Sequence, residues 1–209
     1  MAASTSVAVG NRTLSLTNLD KVLYPEVDIT KGEVINYYTK VASAMLPHLH
    51  GRCITLRRWP NGVDGKSFFE KRCPSHRPEW VPVSIGPGNE SASSRSRSRG
   101  DDSPIEYCRI EEQAALVWTA NLAALELHAP MAKAHDLASP TTLVFDFDPG
   151  APATIIECAQ RALDMKQVLD AVGLAAFAKT SGSKGMQVYI PLNTATSHQD
   201  CADFALGMG

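Results

Sequence analysis

The stretch Thr141-Thr-Leu-Val-Phe-Asp-Phe-Asp-Pro-Gly150 constrains this chain more than any other part, because an apolar run there delivers two carboxylates, Asp146 and Asp148, just before a Pro-Gly stop. Residues two apart on a strand share a face, so the run reads as a strand whose carboxylates aim the same way. Such a pair repels unless a cation lies between its members. Mg²⁺ or Mn²⁺, with oxygen ligands, is the cation that carboxylates and substrate phosphates hold together. Aspartates also gather at strand ends because they favour turns, so the motif by itself admits both readings.

A second feature follows at Lys179-Thr-Ser-Gly-Ser-Lys-Gly185, a glycine-, hydroxyl- and lysine-bearing turn before the alternating run Met186-Gln-Val-Tyr-Ile-Pro191. Gly182 and Gly185 let backbone N–H groups approach an anion. Ser181 and Ser183 can donate to one, and Lys184 adds a point charge. The Walker A spacing is absent, and an ordinary hairpin is the alternative.

Composition bounds the rest. With 44% hydrophobic and 20% charged residues in 209 positions, one compact domain or a bilobed one can bury a core. A net charge of −2 argues against wholesale coating of nucleic acid, so any DNA contact is expected from local basic patches. The five cysteines are scattered without C-x-x-C spacing, which reads as free thiols in a reducing cytosol. Cys73-Pro-Ser-His76 offers two zinc ligands but no second pair. The N-terminus lacks a basic segment followed by an apolar one, and no apolar run approaches the ~20 residues of a membrane span. The expectation is a cytoplasmic protein with no membrane partner.

Periodicity predicts a strand at 13–16, a turn-rich segment at 18–28 and a helix over 31–49, opened by Thr30 and Glu33 in a capping-box pattern. Strands are expected at 53–58, 67–71 and 80–85, with Pro-Asn-Gly as a tight turn between the first two. Residues 86–103, rich in Ser, Gly and Arg, read as a long loop. Then come a strand at 105–110, a helix over 111–123, a strand at 124–128, the aspartate strand, a helix over 153–172, a hairpin ending at 192 and a helix starting near 197. Without strict βαβ alternation, this is an α+β arrangement of antiparallel sheets flanked by helices.

Taken in order, Leu143-Val-Phe-Asp-Phe-Asp-Pro-Gly150 and Lys179-Thr-Ser-Gly-Ser-Lys-Gly185 resemble the polymerase domain of bacterial DNA ligase D, one of the archaeo-eukaryotic primase-like polymerases. Leu14-Ser-Leu-Thr-Asn-Leu-Asp-Lys-Val-Leu-Tyr-Pro25, Thr30-Lys31, Arg57-Arg-Trp-Pro-Asn-Gly62 and Phe68-Phe-Glu-Lys71 are similar to further blocks of that family. The matches run from about residue 14 to 193, and several blocks in one order are far more specific than any one motif.

The resemblance implies a primase-polymerase fold with antiparallel or mixed sheets, incomplete at the C-terminus. The whole of 1–209 is then one partial domain: 14–85 binds the 5′-phosphate of a DNA end, 86–103 is a flexible loop, and 104–209 carries the aspartates and the nucleotide. The implied activity is nucleotidyl transfer from NTP or dNTP substrates, ribonucleotides above all, to DNA 3′ ends in non-homologous end joining. Ku is the implied partner, with a ligase domain in cis or in trans, at the bacterial nucleoid.

By the same resemblance, Asp146 and Asp148 are catalytic and hold two Mn²⁺ or Mg²⁺ ions. Ser181 and Lys184 grip the triphosphate, and Arg57, Arg58 and His128 lie near the nucleotide. Phe68 and Phe69 stack on bases, although aromatics on a strand, read alone, point to core for at least one of them. Asn18, Lys21 and Lys31 match the family's 5′-phosphate residues; without the family both lysines read as ordinary surface residues. Arg95, Arg97 and Arg99 form a cationic tract that either touches a phosphate backbone or is simply solvated.

Two departures stand out. Gln187 replaces a histidine usual after the glycine-rich turn, and an amide can hydrogen-bond a phosphate but cannot take on charge. The family's third aspartate, on a later strand, has no counterpart, since Asp200 and Asp203 fall in a helical stretch. That absence favours the alternative of a catalytically inactive module binding 5′-phosphorylated ends, or a fragment of a multidomain ligase. A nucleotide-binding protein unrelated to DNA requires the N-terminal phosphate block to be accidental.

Overall fold

The computed structural model describes residues 4–87 and 104–208, which fall into two units, one ending at Pro130 and the other beginning at Met131. The Arg95, Arg97 and Arg99 tract lies outside the described residues, and Gly86, read as the first residue of the loop, instead closes a strand.

In the first unit, β1 (Ser4–Val9) and β2 (Arg12–Thr17) form an antiparallel hairpin, turned at Gly10 with φ of +57°. Only the second of these strands is legible from the sequence. Alternation buries Leu14 and Leu16 and turns the residues between them outward. Short β3 (Val22–Tyr24) and β4 (Ile29–Thr30) pair ahead of α1 (Lys31–Leu49). The expected capping box is present: the Thr30 side chain accepts from the Glu33 N–H at 3.3 Å, and the Glu33 carboxylate accepts from the Thr30 N–H at 2.7 Å.

Next come β5 (Thr55–Arg58), β6 (Phe68–Glu70), β7 (Val83–Gly86), β8 (Ile105–Cys108), α2 (Gln113–Asn121) and β9 (Ala124–His128). β5 is the middle strand of an antiparallel sheet in the order β6-β5-β9, and β7 pairs with β8. Helix α2 packs on α1 and is buried at every position from 114 to 120, as expected of a helix apolar all round. Its Leu116 and Val117 join Leu23, Ile54, Leu56 and Ile110 in one core.

The second unit opens with the hairpin of β10 (Ala132–Lys133) and β11 (Asp136–Pro140), which the sequence reading misses. β12 (Thr142–Phe147), α3 (Ile155–Ala171), β13 (Phe177–Thr180), β14 (Met186–Pro191) and α4 (His198–Met208) follow. Here an antiparallel sheet runs in the order β12-β14-β13. Leu143, Val188 and Ile190 on one face of it cluster with Ala162 and Leu169 of α3. The α+β class expected from the sequence is the class observed.

The expectation of five free thiols is corrected. Cys73 and Cys108 are bonded to each other with their Cα atoms 4.8 Å apart, while Cys53, Cys158 and Cys201 are free. A pair 35 residues apart leaves no local spacing signature; it meets because the Cys73 N–H donates to the Glu106 carbonyl at 2.7 Å, laying the segment after β6 against β8. In this state Cys73 has no thiolate to give, so Cys73-Pro-Ser-His76 is not a zinc-binding pair.

Candidate functional site

In the second unit, β12 alternates Phe145 and Phe147, packed on the core, with Asp146, which is exposed; Asp148, also exposed, lies one residue past the strand's end. Asp146 stands opposite Gln187 in register, and Gln187 stands opposite Lys179. Directly opposed residues project from the same face, so the carboxylate, the amide and the ammonium form a row across the sheet on the side away from its core. Gln187 is itself fixed, its Oε1 accepting from the Tyr189 hydroxyl at 2.9 Å.

The glycine-rich turn closes on itself. The Ser181 Oγ accepts from the Gly185 N–H at 3.0 Å and from the Ser183 N–H at 3.3 Å, while the Ser181 N–H donates to the Gly185 carbonyl at 2.9 Å. The Gly185 N–H is therefore spent inside the turn. Gly185 serves close approach instead, since a Cβ there collides with the Phe147 carbonyl oxygen. This contact brings Lys184 Nζ to 3.5 Å from Asp148 and 3.4 Å from the Pro149 carbonyl.

Among the described residues no cluster of three or more His, Cys, Asp and Glu side chains could hold a metal ion. Two exposed carboxylates are nonetheless hard oxygen donors, and Mg²⁺ commonly takes one or two carboxylates and completes its shell with water and substrate phosphates. Asp146 and Asp148 fit that mode. Asp200 and Asp203 do not supplement it: both lie on α4, where Asp200 accepts from the Ser197 N–H at 3.0 Å and Asp203 accepts from Gln199 at 2.8 Å.

In the first unit, one face of the β6-β5-β9 sheet carries Phe69, Arg57 and Glu126 in a row of register partners. Arg57 donates to Glu126 at 3.1 Å and to the Ser67 hydroxyl at 3.1 Å, and its guanidinium lies 5.1 Å from the Phe69 ring and 4.6 Å from the Trp59 ring. His128, two residues beyond Glu126 and so on its face, bonds Glu126 at 2.8 Å and meets the Phe69 ring edge-on at 5.3 Å. Arg58, pointing the other way, donates to Glu70 at 2.8 Å and to the Leu122 carbonyl at 2.9 Å. Phe68 and Phe69 are 43% and 58% exposed, which corrects the residue-only reading of one of them as core.

A cavity of about 610 Å³ in the same unit is lined by Asn18, Lys21, Lys31 and Arg58. Local backbone bonds assemble it. Asn18, in the left-handed region at φ +53°, accepts from the Lys21 N–H, and the Lys21 carbonyl accepts from the Lys31 N–H at 2.8 Å. Lys31 is not a surface lysine: it is 5% exposed, and its Nζ donates to the Thr17 carbonyl at 2.6 Å. Burial pushes its pKa down to about 8, with Lys21 and then Arg58 repelling the charged form. The cavity also takes in Asn61 and His76, and the sheet face adds Glu126 and Trp59; sequence reasoning gave Asn61, Glu126 and Trp59 no site role and offered His76 only as a zinc ligand. Period-two spacing from His128 was the available signal for Glu126.

Residues 30–209 match the family model described as LigD, primase-polymerase domain. The chain belongs to the LigD primase-polymerase domain family. It is 38% identical over 179 residues to the multifunctional non-homologous end joining protein LigD of Mycolicibacterium smegmatis, covering 85% of this chain and 22% of that protein. It is 32% identical over 180 residues to the bifunctional LigD of Bacillus subtilis, covering 86% and 27%. Against the solved polymerase domain of Mycobacterium tuberculosis Ligase D in complex with DNA, the identity is 35% and the TM-score 0.81, covering 93% of this chain and 67% of that one. The chain thus spans about a quarter of the length of the curated LigD relatives it matches. As a LigD primase-polymerase domain it is of the nucleotidyltransferase type. Among the described residues no helix is long and apolar enough to cross a membrane.

Proposed function

We propose that this LigD-type domain adds nucleotides to the 3′ ends of DNA and recognises the 5′-phosphate across the gap, within non-homologous end joining. The observation that carries the reading is the pairing, in one chain, of an exposed two-carboxylate strand end held beside Lys184 with a cavity lined by three cations. Each matches a chemical need. Nucleotidyl transfer needs charge stabilisation more than covalent help, and a terminal phosphate dianion needs converging donors.

In this reading Asp146 and Asp148 hold a pair of Mn²⁺ or Mg²⁺ ions, which would activate the primer 3′-hydroxyl and offset the charge of the leaving pyrophosphate. Lys184 and the hydroxyl proton of Ser181 grip the triphosphate, the Ser181 oxygen being kept in place by its own turn. Arg57 and His128 serve the incoming nucleotide, with Glu126 fixing both, whereas Arg58, which the resemblance also places near the nucleotide, faces the cavity of Lys21 and Lys31. Phe68 and Phe69 present ring faces to bases. Asn18, Lys21 and Lys31 bind the 5′-phosphate. Ku and a ligase domain are the partners that end joining requires, and the bacterial nucleoid is where they would meet.

The test is primer extension on gapped DNA with Mn²⁺ and a ribonucleoside triphosphate. Extension by the chain, abolished in Asp148→Ala, supports the reading. Phosphate-dependent binding without extension supports the second reading, an end-recognition module, which the cation-lined cavity would serve by itself.

A further inference from the structure

The cavity of the first unit sets an electrostatic problem that its known family residues do not solve. Lys21, Lys31 and Arg58 all line it, and among the described residues no carboxylate does. Like charges brought together push apart, and the most flexible of them swings toward water first. Two of the three are tethered: Lys31 is buried and donates to the Thr17 carbonyl at 2.6 Å, and Arg58 donates to the Leu122 carbonyl and to Glu70. Lys21 is exposed, on a long unbranched stem, and the side-chain acceptor that holds its ammonium is the Asn61 Oδ1 at 3.1 Å.

Asn61 is itself placed with little freedom. It precedes Gly62, whose φ of +83° and 3.0 Å gap between a Cβ and the Leu23 carbonyl admit no ordinary side chain. The Gly62 N–H donates to the Trp59 carbonyl at 3.1 Å, and the Val63 N–H donates to the Leu23 carbonyl at 2.8 Å, which docks the turn against β3. A neutral amide is also the right chemistry here, because it holds an ammonium group without cancelling the charge that a phosphate needs, as a carboxylate would.

We infer that Asn61 is a positioning residue of this cavity, holding the Lys21 ammonium against the repulsion of Lys31 and Arg58 so that a terminal phosphate meets three cations rather than two. The inference rests on the reading of the cavity as the 5′-phosphate site. Asn61 acts through Lys21 and makes no claim on the phosphate itself.

The experiment measures binding of the whole chain to gapped DNA bearing a 5′-phosphate or a 5′-hydroxyl, and reads the ratio of the two affinities. Asn61→Ala lowers that ratio about three- to tenfold, as expected for one hydrogen bond to a charged group near solvent. Asn61→Asp, similar in size, also lowers it, because the carboxylate cancels charge while still holding Lys21. In a Lys21→Ala background Asn61→Ala has no further effect, the signature of a residue acting only through its partner, whereas the added carboxylate of Asn61→Asp still repels the phosphate. An unchanged ratio in Asn61→Ala overturns the inference, and so does an equal loss from Asn61→Ala with and without Lys21. If Lys21→Ala itself leaves the phosphate preference intact, the phosphate reading of the cavity fails and the inference with it.

Discussion

Lys184 Nζ stands 3.5 Å from the Asp148 carboxylate, so the glycine-rich turn before β14 and the end of β12 share one small polar surface. Both partners are well exposed, at 63% and 67%, so the pair adds little stability and is easily exchanged for a stronger anion. Lys184→Ala should lower kcat/KM for the nucleotide about 10²-fold, the usual loss on removing one preorganised donor from developing charge, while the thermal midpoint stays within a degree or two. Steady-state extension kinetics beside a melting curve checks both.

Gly185→Ala tests the contact that sets this distance. The added methyl meets the Phe147 carbonyl and lies 3.4 Å from Asp148 Oδ1, so β12 and β14 must part. The expected cost is about 1–3 kcal/mol, read as a lower urea midpoint, with extension lost beyond what the stability change explains.

Lys31 predicts a pH dependence whose sign can be worked out. Its pKa is lowered to about 8 from the ordinary lysine value of 10.5, so it is charged below about 8 and neutral above. Preference for a 5′-phosphate should therefore fall as pH rises through about 8, and Lys31→Met should flatten the profile. Folding stability moves oppositely. Between about 8 and 10.5 the unfolded chain binds the proton and the folded one does not, so stability of the ligand-free protein rises with pH over that window. Urea midpoints and the affinity ratio, each followed from pH 7 to 10, separate the two.

Phe69 packs on Arg57 and His128 while 58% exposed, so its ring holds up little of the core. Phe69→Ala should weaken DNA or nucleotide binding by about 1–3 kcal/mol, the range for one stacked base, with a stability change under about 1 kcal/mol. Fluorescence anisotropy with labelled gapped DNA gives the first number and chemical denaturation the second.

The parts legible in the sequence were those set by local rules. The capping box at Thr30 and Glu33, the strand 124–128 and the aspartate run all follow from residue type and spacing alone. Hairpins made of small or polar residues escaped, as with Ser4–Val9, because weak alternation gives no strand signal until its partner is known. The Cys73–Cys108 bond escaped for a related reason: only the long-range pairing that lays the 73 segment beside β8 brings the sulfurs together.

The site was legible as a set of residues and less so as an arrangement. Lys31 looked like any surface lysine, yet it is buried at the head of α1 with its ammonium on a backbone carbonyl, which only the docking of the Asn18–Lys21 turn makes possible. Arg58 was read with Arg57 toward the nucleotide, but alternation along β5 sends Arg58 to the cavity that Lys21 and Lys31 line. Ser181 reads from the sequence as a donor, but not as the residue whose oxygen closes its own turn by accepting from Gly185 and Ser183.

The central claim is that one chain both extends a 3′ end and reads the 5′-phosphate opposite it. It is tested most directly by the initial rate of nucleotide addition to gapped DNA carrying a 5′-phosphate, set against the same DNA carrying a 5′-hydroxyl, at sub-saturating DNA. The account predicts addition at least about tenfold faster on the phosphorylated gap, as expected for a charge-assisted contact, with the advantage erased in Lys31→Met. Equal rates on the two substrates would contradict it.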